Sequence, residues 1–154
     1  MKKAYFPMFV DLSEKRILVI GGGRIAARRI NTLLLFAENI KVVAPRICEE
    51  LSELEQQGKI VWVKRGWKEA DTVGMDMVLA ASDNSAVNHR AVVFCNESGI
   101  LVNSADDKKK CDFYFPAIVE KDDLIIGIGA NGENPAKVKA ARQQLEDLLK
   151  NSAF

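Results

Sequence analysis

The glycine-rich segment at residues 21–26 is the first place where residue type and spacing suggest chemistry. It fits the pattern G-x-G-x-x-A and comes directly after the β-branched run 16–20. In this pattern Gly21 permits a tight turn, Gly23 lets the backbone approach a pyrophosphate, and Ala26 permits close packing of a helix on a sheet. The first N–H groups of that helix attract phosphates. The motif predicts a dinucleotide site; the alternative is a glycine turn in an ordinary α/β domain.

One element of the dinucleotide pattern is missing after the second strand. An Asp or Glu about 20 residues beyond the glycines normally holds the ribose hydroxyls, whereas this chain reads Val-Ala-Pro-Arg at 43–46. Arg46 could contact a 2′-phosphate instead, which would favour NADP, or it could be a solvated residue at the start of a helix. The residues alone leave the choice between NAD and NADP open.

Further polar candidates follow two later strands. Open α/β sheets bind ligands at the carboxyl ends of their strands, and a carboxylate there can accept the proton that a dehydrogenation releases with a hydride. Asp106 is the candidate proton acceptor, and Asp107 is its nearest competitor. From the residues alone, a surface or helix-capping aspartate is the simpler interpretation of Asp106. The side chains expected to gather at this edge are Ser82, Asp83, Asn103 and Asp106.

Length and composition exclude several classes of protein. The chain has 154 residues, of which 48% are hydrophobic and 28% are charged, and this excludes a disordered or low-complexity protein. A net charge of +1 offers no basic surface for duplex nucleic acid. No apolar run reaches the roughly 18 residues of a membrane helix, and Pro7 and Asp11 interrupt any signal-peptide pattern. We therefore expect a cytoplasmic protein without a nucleic-acid or membrane partner.

Side chains that commonly bind metals are scarce. Cys48, Cys95 and Cys111 are an odd number and form no C-x-x-C pair, which favours reduced thiols in a reducing compartment. His89 is the only histidine, so a His-rich metal site is excluded. No metal site is expected.

Short β-branched runs alternate with helical stretches over residues 1–112. Because parallel strands need crossover connections, the alternation predicts an α/β fold: a Rossmann-like parallel sheet with helices on both faces. Gly58 and Gly99 are expected to end the second and third helices. The expected strands are 16–20, 40–43, 60–63, 75–80 and 100–102, and the expected helix faces are Ala26, Ile30, Leu33 and Ala37, then Ile47, Leu51 and Leu54, then Val87, Ala91 and Phe94.

Residues 113–154 have a different pattern, a hairpin followed by one helix. Apolar runs at 113–119 and 124–128 flank the expected turn 120–123. A hairpin and one helix cannot bury a core of their own, so this segment should pack on the first domain or on a second copy of the chain. The last helix should begin with Asn134 as N-cap and Pro135 as first residue, and its expected apolar face is Val138, Ala141, Leu145 and Leu148.

Five segments, taken in order, resemble one known family, the precorrin-2 dehydrogenase and sirohydrochlorin ferrochelatase family, which forms the dehydrogenase part of siroheme synthase. The resemblance covers essentially the whole chain. The ordered set is specific, although no single segment is. These segments are 5–12, 17–23, 42–45, 80–83 and 113–117.

The resemblance implies an activity: NAD-dependent oxidation of precorrin-2 to sirohydrochlorin in siroheme, and hence tetrapyrrole, biosynthesis. It also implies a homodimer in which residues 113–154 form the dimerisation domain. Asp106 matches the aspartate implicated in the chemistry, and NAD is the cofactor that the family generally uses. The cofactor-binding residues expected from the motif and the resemblance together are Gly21, Gly22, Gly23, Arg24, Ile25, Pro45, Arg46 and Ser82.

Two other functions stay open. Some members of the family also insert Fe²⁺, so one alternative is sirohydrochlorin ferrochelatase activity. The other is a non-catalytic module that binds a dinucleotide or a tetrapyrrole. Larger members continue with a further helical domain, which this chain is expected to lack. Many also carry a Ser-Gly-Gly-x-Ser-Pro-like segment where this chain has 130–135 with an acidic Glu133. Both departures weaken the ferrochelatase expectation more than the dehydrogenase expectation.

Overall fold

The computed structural model describes residues 5–130 and 134–150, so Glu133 lies outside the described residues. Strands and helices alternate along most of the chain, and a hairpin and a helix follow. The elements are, in order, β1 (Arg16–Ile20), α1 (Arg24–Leu33), β2 (Asn39–Val43), α2 (Glu49–Gln56), β3 (Val61–Val63), β4 (Met77–Ala80), α3 (Ser85–Ser98), β5 (Leu101–Ser104), β6 (Ala117–Lys121), β7 (Leu124–Ile128) and α4 (Pro135–Lys150).

The main sheet is parallel, with strand order β3-β2-β1-β4-β5. The chain moves from β1 towards one edge and later towards the other, so the strand order reverses between β1 and β4. Right-handed crossovers then place α1 and α3 on opposite faces. The four residues from Ile17 to Ile20 are all buried, as expected for a strand covered on both sides. The predicted α/β fold is confirmed.

The helix α3 packs on one face of this sheet. Alternate side chains of the central strands point to this face, and the helix contributes its own buried stripe between them. The helix begins at the N-cap Asn84, whose side chain accepts from the N–H of Ala86 at 3.0 Å. Gly99 ends it in the left-handed conformation, with φ of 68°. The cluster is formed by Leu18, Ile20, Val43, Val78, Ala80, Ala91, Val92, Cys95 and Val102.

Several boundaries differ from the sequence expectations. The first helix ends at Leu33, although Ala37 beyond it is buried as expected. The strand expected from residue 113 begins at Ala117 instead. The reason is that the preceding segment returns to β5: the N–H of Asp112 donates to the carbonyl of Val102 at 2.9 Å, and the amide of Asn103 donates to the carbonyl of Phe113 at 2.6 Å.

The described chain separates into two compact units, residues 10–113 and residues 114–130 and 134–150 with 5–9. In the smaller unit β6 and β7 pair antiparallel, with Lys121 opposite Leu124, so the turn between them is tighter than expected. The helix α4 packs on both strands. Its buried residue is Leu149, whereas Leu148, expected on the apolar face, is 60% exposed. The buried face of α4 therefore continues from Leu145 to Leu149, four residues on, rather than to Leu148, three residues on.

Candidate functional site

The glycine turn after β1 is held between two other loops. Gly21 has φ of +112°, and a Cβ there would lie 2.3 Å from the carbonyl oxygen of Ala81. A Cβ on Gly22 would lie 2.3 Å from the carbonyl oxygen of Arg46. Only glycine fits at either position without moving backbone. The turn therefore packs on the loop after β2 on one side and on the loop after β4 on the other.

Gly23 differs from its two neighbours because its surroundings are open. It is the N-cap of α1, and no heavy atom lies within 4 Å of a Cβ built on it. No side chain caps the helix, and its first turn contains no acidic residue. The free N–H groups and the positive end of the helix dipole face this space. A close-approach cradle of this kind suits a pyrophosphate, so the residues present fit a dinucleotide cofactor.

The other expected cofactor-binding side chains lie around this turn. Arg24 and Ile25 are exposed in the first turn of α1, and Pro45 and Arg46 are exposed in the loop after β2. Arg46 precedes the start of α2 by three residues, so it lies in the loop rather than in the helix. The structure gathers these four residues with the glycines at the carboxyl ends of β1 and β2. Their contact with a cofactor stays a prediction.

A buried asparagine joins Ser82 to Asp106. The Asn88 side chain accepts from the N–H of Ser82 at 3.0 Å and donates to its carbonyl oxygen at 2.9 Å. The same amide nitrogen donates to Oδ2 of Asp106 at 3.0 Å. The loop after β4 and the loop after β5 are thus tied together at the same edge of the sheet. Asn88 is not among the residues predicted from the sequence; the available signal is its polar side chain on the buried helical stripe of Ala91 and Cys95.

Asp106 is exposed, yet its carboxylate is well supplied with hydrogen-bond donors. Partial desolvation raises its pKa, but hydrogen bonds from the side chains of Ser104, Asn88 and Ser85 outweigh it and lower the pKa below the usual aspartate value. The Ser104 hydroxyl lies 2.5 Å from Oδ1. The carboxylate is therefore ionised at neutral pH and can accept a proton.

Asp107 has a different role from its neighbour. Its Oδ1 accepts from the N–H of Lys109 at 3.0 Å, which caps a short 3₁₀ helix at Lys108–Lys110. The capping role considered for Asp106 thus belongs to Asp107. This separates the two candidates geometrically, while the catalytic role of Asp106 stays a prediction.

A cavity of about 300 Å³ adjoins Asp106. Within it the ammonium of Lys110 lies 2.9 Å from Nδ1 of His89 and 3.3 Å from Oδ2 of Asp107. The cavity therefore carries a hydrogen-bonded row of titratable groups beside the candidate base. Its lining residues are Ser85, His89, Val92, Ser104, Asp106, Asp107 and Lys110.

The other polar residues and cysteines considered from the sequence lie away from the proposed chemistry or support the fold. Asn103 is buried and holds Phe113, and Asp83 is exposed beside Ser82. Burial raises the pKa of the Cys95 thiol to about 12, so this thiol is inert at neutral pH. Within residues 5–130 and 134–150, no three acidic, histidine or cysteine side chains are grouped so that they could hold a metal, and no helix has the length and apolarity to cross a membrane.

The fold and the site together define a dinucleotide-binding α/β protein, because the glycine turn and the open helix N-terminus lie where the strand order reverses. Residues 8–117 match the family described as putative NAD(P)-binding, and the chain belongs to that family. A nicotinamide dinucleotide is therefore the class of cofactor for this site.

Similar proteins narrow the family further. The chain is 40% identical over 145 residues to the probable multifunctional siroheme biosynthesis protein HemA of Ruminiclostridium josui, covering 93% of this chain and 28% of that protein. It is 34% identical over 145 residues to siroheme synthase 1 of Serratia proteamaculans, covering 94% and 30%. The chain spans under a third of the length of these curated relatives.

A solved structure is similar over most of its length. SirC, a precorrin-2 dehydrogenase, matches with a TM-score of 0.80 and 28% sequence identity over 94% of this chain and 71% of that one. Together with the siroheme synthases, this match confirms the resemblance to the precorrin-2 dehydrogenase family that the sequence predicts.

Proposed function

We propose that this protein oxidises precorrin-2 to sirohydrochlorin in siroheme biosynthesis, with NAD⁺ as the hydride acceptor. One observation carries the proposal. A dinucleotide turn and an ionised carboxylate lie at the same edge of one sheet, and the loop after β4 contacts the turn and is hydrogen-bonded to the carboxylate through Asn88. The similarity to SirC and to siroheme synthases supports the same reaction class.

The chain supplies the groups that a dehydrogenation needs. The reaction removes two hydrogens from the substrate, one as a hydride and one as a proton. A bound nicotinamide dinucleotide would accept the hydride. Asp106, which is ionised at neutral pH and lies at the same edge of the sheet, takes the proton. Gly23 and the first turn of α1 hold the pyrophosphate, and Asn88 keeps the carboxylate in place.

NAD⁺ is the proposed cofactor, although Arg46 provides a positive charge where a 2′-phosphate could bind. The family resemblance favours NAD⁺. Against it, the loop 43–46 contains no carboxylate that would exclude NADP⁺. Calorimetric titration with both dinucleotides decides the matter. Tighter binding of NAD⁺ is expected, and the variant Arg46→Ala should change the affinity for NADP⁺ more than that for NAD⁺. A clear preference for NADP⁺ would overturn the cofactor assignment.

The activity is tested directly with purified protein and precorrin-2, followed by absorbance, with and without NAD⁺ and Fe²⁺. We expect sirohydrochlorin and one equivalent of NADH when NAD⁺ is present, and no reaction without it. Iron insertion into sirohydrochlorin that needs no NAD⁺, without any oxidation of precorrin-2, would favour the ferrochelatase alternative. Binding of NAD⁺ without either reaction would favour the non-catalytic module.

We also propose that the chain is a cytoplasmic homodimer. The smaller unit leaves apolar side chains at its surface, among them Leu124 and Ile125 on β7 and Leu148 on α4. A second copy of the chain would cover them, in line with the dimerisation domain that the resemblance implies. Cys48, Cys95 and Cys111 are an odd number and form no C-x-x-C pair, which suits a reducing compartment.

A further inference from the structure

Asn88 is a polar side chain in an apolar setting. It is 1% exposed and lies on the same stripe of α3 as Ala91, Val92 and Cys95, which pack on the sheet. Burying an amide costs free energy unless its donors and acceptor are satisfied. An alanine or a valine would fill this position at lower cost, so the amide calls for an explanation from its contacts.

The side-chain hydrogen bonds of Asn88 go to the two loops that flank the site. Its oxygen accepts from the N–H of Ser82 at 3.0 Å, and its nitrogen donates to the Ser82 carbonyl at 2.9 Å and to Oδ2 of Asp106 at 3.0 Å. Ser82 adjoins the glycine turn, since its backbone nitrogen lies 2.7 Å from the position of a Cβ on Gly21. One rigid, buried side chain therefore connects the cofactor side of the site to the carboxylate.

We propose that Asn88 is a positioning residue that fixes the Asp106 carboxylate relative to the dinucleotide turn. This inference rests on the proposed function, because it assigns the purpose of the contact to proton transfer from the substrate. Asn88 itself does not exchange protons. Its amide nitrogen donates one hydrogen bond to Oδ2 of Asp106 and one to the Ser82 carbonyl, which fixes the two groups relative to each other. The other carboxylate oxygen of Asp106, Oδ1, accepts from the Ser104 hydroxyl.

The titratable groups around Asp106 come from three elements. His89 of α3 lies in the same cavity, as do Lys110 of the 3₁₀ helix at Lys108–Lys110 and Asp107, which caps that helix. Asp83 adjoins Ser82 in the loop after β4. Lys110 is shared between His89 and Asp107. The hydrogen bonds of Asp106 itself come from neutral groups, which makes the Asn88 contact a separable contribution to its titration.

The variant Asn88→Asp tests the proposal, because it has nearly the same size and replaces the donor to Asp106 by a second carboxylate about 3 Å away. Two carboxylates at that distance do not both ionise readily, so the pair should titrate with one pKa clearly above the ordinary aspartate range. The acidic limb of kcat should move to higher pH, and kcat should fall by about 10²-fold because the base is misplaced. Carbon-13 NMR titration of Asp106, assigned with Asp106→Asn, and the pH profile of kcat are the readouts.

The matched control is Asn96→Asp, which makes the same change at an exposed asparagine of the same helix. It should leave the Asp106 titration and the pH profile unchanged. The same titration and acidic limb in Asn88→Asp and in the wild type would overturn the proposal. Equal shifts in both variants would also overturn it, because they would report the added charge alone.

Asn88→Ser covers the case in which Asn88→Asp does not fold, since serine adds no charge and is too short to reach Asp106. The Asp106 pKa should then rise towards the ordinary value, and an unchanged titration would overturn the proposal. The NMR readout does not depend on activity. A wild type that fails to oxidise precorrin-2 therefore removes the proposed function, whereas an unshifted titration removes the role of Asn88.

Discussion

The two units of the chain bury their apolar residues to very different extents. In residues 10–113 the central strands are covered on both faces, and whole runs such as Ile17 to Ile20 are buried. In the described part of the smaller unit, the buried apolar side chains are Val119 and Leu149. Leu124 and Ile125 on its hairpin are 42% and 40% exposed. The larger unit buries a hydrophobic core of its own, whereas the smaller unit leaves much of its apolar surface exposed.

This difference separates two roles. Every residue expected to bind the cofactor or to take part in the chemistry lies in the larger unit, where buried strands fix the loops that carry it. The smaller unit contains none of them. Its open apolar surface is typical of an interface, since large exposed apolar patches on folded chains generally mark association sites. We therefore expect substitutions in the larger unit to change catalysis and binding, and substitutions on the hairpin to change assembly.

Loss of the carboxylate should have the largest effect. Asp106→Asn keeps the size and much of the hydrogen bonding of the side chain but cannot accept a proton near neutral pH. Turnover should fall by about 10²–10⁴-fold, with NAD⁺ affinity nearly unchanged. Steady-state kinetics and calorimetry measure the two quantities.

The neighbouring aspartate provides the control for this change. Asp107→Asn affects the cap of a short 3₁₀ helix and the ion pair with Lys110, so it should cost far less turnover. Equal losses in the two variants, or full activity in Asp106→Asn, would mean that the catalytic role belongs elsewhere. A raised KM with retained turnover would instead indicate that Asp106 orients the substrate.

A negative charge introduced into the proposed pyrophosphate site should have the next largest effect. Gly23→Asp places a carboxylate in the open space at the start of α1, where like-charge repulsion costs several kcal/mol. The Kd for NAD⁺ should rise by about 10²-fold or more, while the melting temperature stays close to that of the wild type.

Two further glycine variants sharpen this result. Gly23→Ala adds a Cβ that meets no protein atom within 4 Å, so it should weaken binding less than the aspartate does. Gly21→Ala should lower stability, because its Cβ would meet the Ala81 carbonyl at 2.3 Å and φ is +112°. Unchanged NAD⁺ affinity in Gly23→Asp would remove the proposed cofactor site.

The hairpin should determine the oligomeric state. An obligate dimer interface generally exceeds about 2,000 Å² and is apolar, so the double variant Leu124→Glu with Ile125→Glu should dissociate the dimer. Sedimentation at micromolar concentration should give twice the chain mass for the wild type and the single chain mass for the variant. Val61→Glu, at an exposed valine of the larger unit, is the control and should remain dimeric. A monomeric wild type would contradict the proposed dimer.

Much of the larger unit could be predicted from the sequence because its signals are local. Most strands are short, largely apolar runs, and Gly58 and Gly99 end their helices in the left-handed conformation. The glycine pattern at 21–26 also predicts the turn, because the backbone geometry of the motif depends on residues next to one another. The positions of Gly21 and Gly22 against two other loops explain why both are glycine.

Other features depend on distant contacts and escape a sequence pattern. The bond from Asn88 to Asp106 joins residues 18 positions apart, and a lone asparagine on an apolar stripe does not reveal its partner. The late start of β6 has a similar cause, since residues 112 and 113 are held by β5. On α4, helical spacing from Leu145 allows either Leu148 (i+3) or Leu149 (i+4) on the apolar face. Only the packing of α4 on the hairpin determines which of the two is buried.

The smallest expected effect concerns stability, and it also distinguishes the two units. Asp71 is largely buried in the larger unit and accepts from both terminal nitrogens of Arg65, at 2.7 and 2.6 Å, and from the N–H of Lys68 at 2.8 Å. The side-chain hydrogen bond from Arg65 is the main reason that the pKa of Asp71 is lowered. Asp71→Asn should cost about 1–2 kcal/mol in the free energy of unfolding at neutral pH. Asp123→Asn, at the exposed hairpin turn, should change it by less than about 0.5 kcal/mol.

The pH dependence of this pair gives the sharper test. Because the pKa of Asp71 is lower in the folded chain than in the unfolded one, its contribution is fully present above the unfolded pKa of about 3.9. It is lost as the pH falls through the folded pKa. The difference in unfolding free energy between the wild type and Asp71→Asn, measured with urea, should therefore stay constant from neutral pH to about pH 5 and shrink below about pH 4. A constant difference throughout the acid range would mean that the ionised form of Asp71 does not stabilise the larger unit.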